Sequence, residues 1–229
     1  MRSRTWRMTV TIIGLAGLTA AAAAAPLTVT LDDLQADGSL PDAAGFCRPD
    51  PATTIAPGAN RSLGVRWSPG PQGTRAYALV MTDPDVPRDL SSLNRAGTHL
   101  AVDAQRMPFT HWVLVDIPAT TTALPAGADG EGRPQGGKPL GITPHGVRGQ
   151  NGYAGFFRDG PYGGYDGPCP PWNDLRPHRY VVRIYALDVP SLGLSGPFTQ
   201  ADVEKAVAGH VLAIGEAGAI YTLNPDLRR

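Results

Sequence analysis

Three apolar runs with a two-residue period constrain this chain more than any other feature. Residues 75–82 (RAYALVMT) have strand composition but alternate imperfectly. Residues 111–117 (HWVLVDI) set His111, Val113, Val115 and Ile117 on one face, and residues 179–187 (RYVVRIYAL) do the same for Tyr180, Val182, Ile184 and Ala186. Side chains of a strand point alternately to its two sides, so each run reads as a strand with a buried face. Proline, glycine or aspartate stands near the ends of all three, where chains turn. The intervening stretches are long and mostly lack helical period. Antiparallel sheets are therefore expected, not alternating strand–helix–strand units.

One helix is expected. Thr199 and Asp202 resemble a capping box, and Val203, Ala206, Val207, Val211 and Ile214 follow at helical spacing, with Gly209 weakening the middle or ending a first part. Residues 219–223 are predicted to form a short closing strand. Residues 127–164 are rich in glycine and aperiodic; they read as a long surface loop, functional or mobile.

The N-terminus is set apart. Arg2, Arg4 and Arg7 precede an uncharged stretch, residues 8–25, that ends in alanines offering small-x-small cleavage sites. This is the anatomy of a secretory signal peptide over residues 1–25, followed by one domain over 26–229. The competing reading is a membrane anchor, since the stretch is near the lower length of a spanning helix. Removal of the signal would leave no stable membrane span and a periplasmic or secreted protein.

Composition excludes several classes. Lysine plus arginine equals aspartate plus glutamate, 20 each, and no basic run carries interleaved aromatics, so nucleic acid is not an expected partner. With 28 glycines and 23 prolines the chain is turn-rich, yet its 42% hydrophobic content argues against disorder. Two cysteines, Cys47 and Cys169, are compatible with one disulfide or with two separate buried thiols. There is no Gly-x-Gly-x-x-Gly, no Gly-x-Ser-x-Gly and no His-Glu-x-x-His.

Chemistry-bearing residues gather at strand ends. Alternation sends Asp83 and Asp85 of Thr82-Asp83-Pro84-Asp85-Val86-Pro87 to one side, and the prolines fix the backbone where the strand is expected to stop. His111-Trp112 opens the second strand. Tyr165-Asp166-Gly167-Pro168-Cys169-Pro170-Pro171 precedes Pro177-His178-Arg179-Tyr180, in which His178 and Tyr180 share a face. Taken singly, each could be an acidic turn, a core histidine or a rigid proline loop.

In this order the clusters resemble the signature of the phosphatidylethanolamine-binding proteins, in their bacterial Raf-kinase-inhibitor-like branch. Asn60, Ser62 and Trp67 upstream, and Gly209-His210-Val211-Leu212-Ala213 downstream as the end of a C-terminal helix, extend the resemblance to nearly the whole mature chain. It implies a mainly β fold: a two-sheet antiparallel Greek-key sandwich with a C-terminal α-helix. It also implies a pocket for phosphate-like or carboxylate anions, such as a phospholipid headgroup, lined by Asp83, Asp85, His111, Gly167, Pro170, Pro171, His178 and Tyr180.

In such a pocket two imidazoles could donate to the anion, amides near Gly167 and Cys169 could add donors, and Asp83 or Asp85 could fix a histidine's tautomer. Anion binding should then strengthen as pH falls from about 8 to 6. The segments 88–110 and 127–164 are longer than the resemblance implies and should lie at the rim. The expected function is non-catalytic anion binding, with no cofactor, no metal and no catalytic residue. The alternatives are a metal-dependent hydrolase built on Asp83, Asp85, His111 and His178, and a secreted protease- or kinase-inhibitor-like protein meeting a protein partner through its rim loops.

Overall fold

The computed structural model describes residues 25–228. The segment read as a signal peptide lies outside the described residues, apart from its last one. In chain order the strands are β1 (Val29–Leu31), β2 (Cys47–Asp50), β3 (Thr54–Pro57), β4 (Val65–Trp67), β5 (Ala76–Pro87), β6 (Arg106–Pro118), β7 (Ala123–Leu124), β8 (Gly141–Thr143), β9 (Gly146–Arg148), β10 (His178–Leu187) and β11 (Val211–Tyr221). Two short helices join them, α1 (Tyr153–Phe157) and α2 (Gln200–Ala206).

The principal sheet has six strands in the order β11-β10-β5-β6-β9-β8; a three-stranded sheet, β1-β4-β7, and a β2-β3 pair complete the set. Pairing of the named strands is antiparallel throughout. Within the large sheet, β10-β5-β6-β9 is the Greek-key order, with the last strand beside the first.

Burial on both faces explains the imperfect alternation of the first run. From β5, Tyr77, Leu79 and Met81 enter the core between the two sheets, alongside Leu31, Val65, Trp67 and Leu124 of the small one. Ala78 and Val80 enter a second core on the far side, where Val203 and Val207 of the α2 segment cover the sheet. A strand covered on both sides has no polar face to reveal its period. β10 behaves as its pattern predicts: Tyr180, Val182, Ile184 and Ala186 all face the inter-sheet core.

β6 departs from its pattern. Val113 and Val115 face the α2 side, but Ile117 joins Trp112 and Leu114 in the main core. The register slips between Tyr77 and Leu79, and Asp116 sits at φ +56°, the left-handed conformation of a bulge. A second slip opposite Met81 and Thr82 makes His111 the extra residue. His111 therefore does not share a face with Val113 and Val115; its ring packs against Tyr180, 5.2 Å away between centroids. A bulge turns strand parity over, and composition does not announce it.

Two further expectations are corrected. The helix ends at Ala206, with Gly209 at φ +83° just beyond. Val211 and Ile214 belong to β11, which is eleven residues long and not the short closing strand expected at 219–223. The capping box itself is present: Thr199 N–H and Oγ1 both donate to Asp202, at 2.8 Å. Nor is 127–164 merely a surface loop. It contains the β8–β9 hairpin, which extends the large sheet, and α1. Its Asp129, Lys138, Asn151 and Tyr153 are buried.

Candidate functional site

The far end of β5 carries the site. The strand does not stop before its aspartates but runs to Pro87, with a bulge between Asp83 and Val86 where the prolines interrupt pairing. Asp83 accepts the Asp85 N–H on one oxygen at 2.7 Å and bonds His178 Nδ1 with the other at 2.7 Å. The far nitrogen of His178 meets Asp174 Oδ2 at 3.1 Å, and Arg106 in turn donates to both Asp174 oxygens. Burial alone would depress the pKa of this ring. The hydrogen bonds to Asp174 and Asp83 outweigh burial and raise it to about 9. His178 is thus an imidazolium clamped between two carboxylates. Both of its donors are spent, contrary to the expectation that it would offer one to an anion.

His111 is held differently. Its Nδ1 lies 2.8 Å from the Asp166 carbonyl, which can only accept, so Nδ1 carries the proton. Burial lowers its pKa, although the Asp83 charge works against that. The neutral ring then presents Nε2 as a lone pair. Asp166 is fixed in turn by Lys138 at 3.0 Å, Asn60 at 2.7 Å and Asn151 at 2.9 Å. Asn60, quoted above only as part of a motif, also accepts the Gly167 N–H at 2.8 Å.

Gly167 consequently has no free amide. A side chain there would strike the Ala44 carbonyl, so the residue serves close packing of the loop and does not line the cavity. Among the described residues, the Cys169 N–H meets no acceptor. Asp85 is likewise away from the cavity: its oxygens accept from the Arg179 N–H, the Arg179 guanidinium and Arg176. With Asp85 held by arginines away from the cavity and His178 saturated, the four ligands of the metal-hydrolase alternative do not converge.

What remains is a cavity of about 230 Å³ bordered by Asp83, His111, Pro170, Pro171, His178 and Tyr180 among others. Cys47 and Cys169 form a disulfide across its wall, with Cα atoms 4.8 Å apart, and both border the cavity. This resolves the choice that spacing left open. The Tyr180 hydroxyl is fully buried and makes no well-formed hydrogen bond, although the Asp83 carboxylate stands close enough to interact with it. Burial, and secondarily the Asp83 charge, push its pKa well above the usual range, so it remains an O–H donor.

The extended segments do reach the rim. Leu90, Leu93 and Asn94 border the cavity from one, Arg133, Tyr153, Phe156 and Phe157 from the other. Asn173 pins the first: its side chain accepts from the Asn94 N–H at 2.9 Å and donates to the Ser92 carbonyl at 2.8 Å. Sequence reasoning missed Asp174 and this aromatic wall, and gave Asp166, quoted within its cluster, no role. Asp174 lies with Asn173 in the stretch between Pro171 and His178, where no motif marked it.

The sandwich of antiparallel sheets thus carries a partly open, mostly apolar cavity at the end of β5, a concavity of the kind in which small ligands bind. The chain belongs to the phosphatidylethanolamine-binding protein family, whose model matches residues 30–222. A UPF0098 protein of Aquifex aeolicus is 34% identical over 164 residues, 72% of this chain and 75% of the relative. The UPF0098 protein YbcL of Escherichia coli is 30% identical over 167 residues, 72% of this chain and 74% of its own. The crystal structure of E. coli YbcL, described as a new member of the mammalian family, superposes with a TM-score of 0.60 at 26% identity, covering 86% of this chain and 99% of that one. A family homologue from Chlamydia trachomatis gives 0.59 at 21% identity, covering 86% and 97%, a likeness of fold alone.

Proposed function

We propose that this chain is an exported, non-catalytic binding protein whose pocket holds a small phosphate-class anion through the Tyr180 hydroxyl and His111. The observation that carries this reading is the Tyr180 hydroxyl, buried without a well-formed hydrogen bond in a residue that borders the cavity. A buried O–H without an acceptor costs about 1–3 kcal/mol, which a ligand oxygen would recover. His111 Nε2 is suited to an acidic oxygen of a monoprotonated phosphate when neutral and donates to any anion when charged. The Cys169 amide is a further donor. A carboxylate or a phospholipid headgroup presents related oxygens.

Export is supported by the N-terminal charge pattern and by the Cys47–Cys169 bridge, since disulfides persist in oxidising compartments. No helix of the described residues is long and apolar enough to cross a membrane.

Titration calorimetry with sulfate and phosphate tests the reading. Tyr180→Phe should weaken both by roughly tenfold, one charge-assisted hydrogen bond, while leaving the melting temperature equal or higher because an unsatisfied group is removed. His145→Ala, remote from the cavity, should change neither. The pH dependence also differs from the one the histidine count suggests. His178 is already charged at neutrality and His111 titrates below its ordinary value. Sulfate affinity should therefore change little across neutrality and rise only as pH falls below the ordinary histidine value of about 6.5. Binding indifferent to Tyr180→Phe would overturn the assignment.

A further inference from the structure

Beyond its polar floor, the cavity opens into an apolar vestibule supplied by the two segments that lengthen this chain. Leu90 and Leu93 come from one side, Met107 from the start of β6, and Phe156 and Phe157 from α1. Leu90, Phe156 and Phe157 are all exposed large apolar side chains, at 40%, 55% and 42%, gathered at one mouth. Phe157 also stacks with Tyr153 at 5.7 Å and with Phe46 at 5.9 Å between centroids, and Phe46 stacks on Tyr153 at 4.3 Å, so the three rings form one compact cluster. The Arg133 guanidinium lies 3.7 Å over the outer face of Phe46. Among the described residues bordering the cavity only Asp83 is acidic, and its oxygens face His178 and the Asp85 amide.

From this geometry we infer that the vestibule accepts an uncharged aromatic arm of the same ligand, so that the ligand class is small aryl phosphate monoesters and not ammonium-bearing phosphate headgroups. The inference rests on the anion site proposed above. An aromatic ring gains offset or edge contacts from the stacked wall. An ammonium would meet Arg133 at the mouth with no free carboxylate to offset the repulsion, and like charges at a binding site exclude the wrong partner. Size allows it: the cavity, about 230 Å³ and open at its mouth, has room for a phosphate and a ring.

The test is calorimetric titration of the mature, oxidised chain with inorganic phosphate, phenyl phosphate and phosphoethanolamine at one pH and ionic strength. Phenyl phosphate should bind roughly tenfold more tightly than inorganic phosphate, the residue of ring burial after ordering costs. Phosphoethanolamine should bind no more tightly than inorganic phosphate. The double variant Leu90→Ser/Phe156→Ser, at two exposed positions, should erase the phenyl gain and leave inorganic phosphate unchanged. Equal affinity for all three, tightest binding of phosphoethanolamine, or a phenyl gain that survives the double variant would overturn the inference while the anion site stands. If none of the three binds, the anion site falls and this inference with it.

Discussion

His178→Ala is expected to lower folding stability by about 3–5 kcal/mol, because it strips the cation from between two buried carboxylates. Asp83 and Asp174 are each about 1% exposed and both lean on this ring. Arg106 neutralises part of the Asp174 charge, but Asp83 keeps only the Asp85 amide. The same arrangement fixes a pH dependence. The folded pKa of His178, about 9, lies above an unfolded value of about 6.5. The stabilisation is therefore complete below the unfolded value and is lost as pH rises through the folded one. Its size is on the order of 3 kcal/mol. Denaturant melts of the wild type and His178→Gln at pH 6 and pH 9.5 isolate it: the stability gap between the two should shrink at the higher pH. A gap that stays constant would mean that the ring is not a clamped imidazolium.

Removing the disulfide, as Cys47→Ser/Cys169→Ser, is expected to cost about 3–5 kcal/mol, since the bridge closes a loop of more than a hundred residues in the unfolded chain. The two cysteines are 122 positions apart. In a domain of this size that corresponds to a melting temperature lower by roughly 8–15 °C. The loss should also reach binding, because Cys47 follows Phe46 on one wall and Cys169 precedes Pro170 on the other. Differential scanning calorimetry of the oxidised protein against the double serine variant measures the first effect, and phosphate titration of both the second. Two free thiols titrated in unfolded, unreduced protein would dispose of the bridge.

How much of this was legible in the sequence depends on the scale of the interaction. β10 could be read because its core face alternates without interruption from Tyr180 to Ala186, with Arg179 and Arg183 on the other face, and the capping box because it lies within four residues. β6 was misread at both ends by bulges at His111 and Asp116, which depend on pairing with β5. β11 was assigned partly to a helix because Val203, Val207, Val211 and Ile214 keep helical spacing across the Gly209 turn. Spacing alone does not reveal that a chain has reversed.

The site divides in the same way. Asp83, His111, Pro170, Pro171, His178 and Tyr180 come together at one cavity, as their motif implied. The roles within the motif follow from contacts of long sequence separation. Asp174 consumes the second His178 nitrogen, Asn60 consumes the Gly167 amide, and Arg179 with Arg176 holds Asp85 away from the cavity. Once those three contacts are counted, the hydroxyl of Tyr180 stands out as a side-chain donor of the motif without a well-formed bond.

The most direct measurement is a crystal structure of the oxidised protein soaked in phosphate. The account predicts a phosphate with one oxygen at hydrogen-bonding distance, about 2.6–2.8 Å, from Tyr180 Oη and another facing His111 Nε2, while His178 keeps both of its carboxylate bonds. A phosphate held instead by His178 with the Asp174 contact broken, or bound only at Arg133 on the rim with Tyr180 still unpaired, would contradict it.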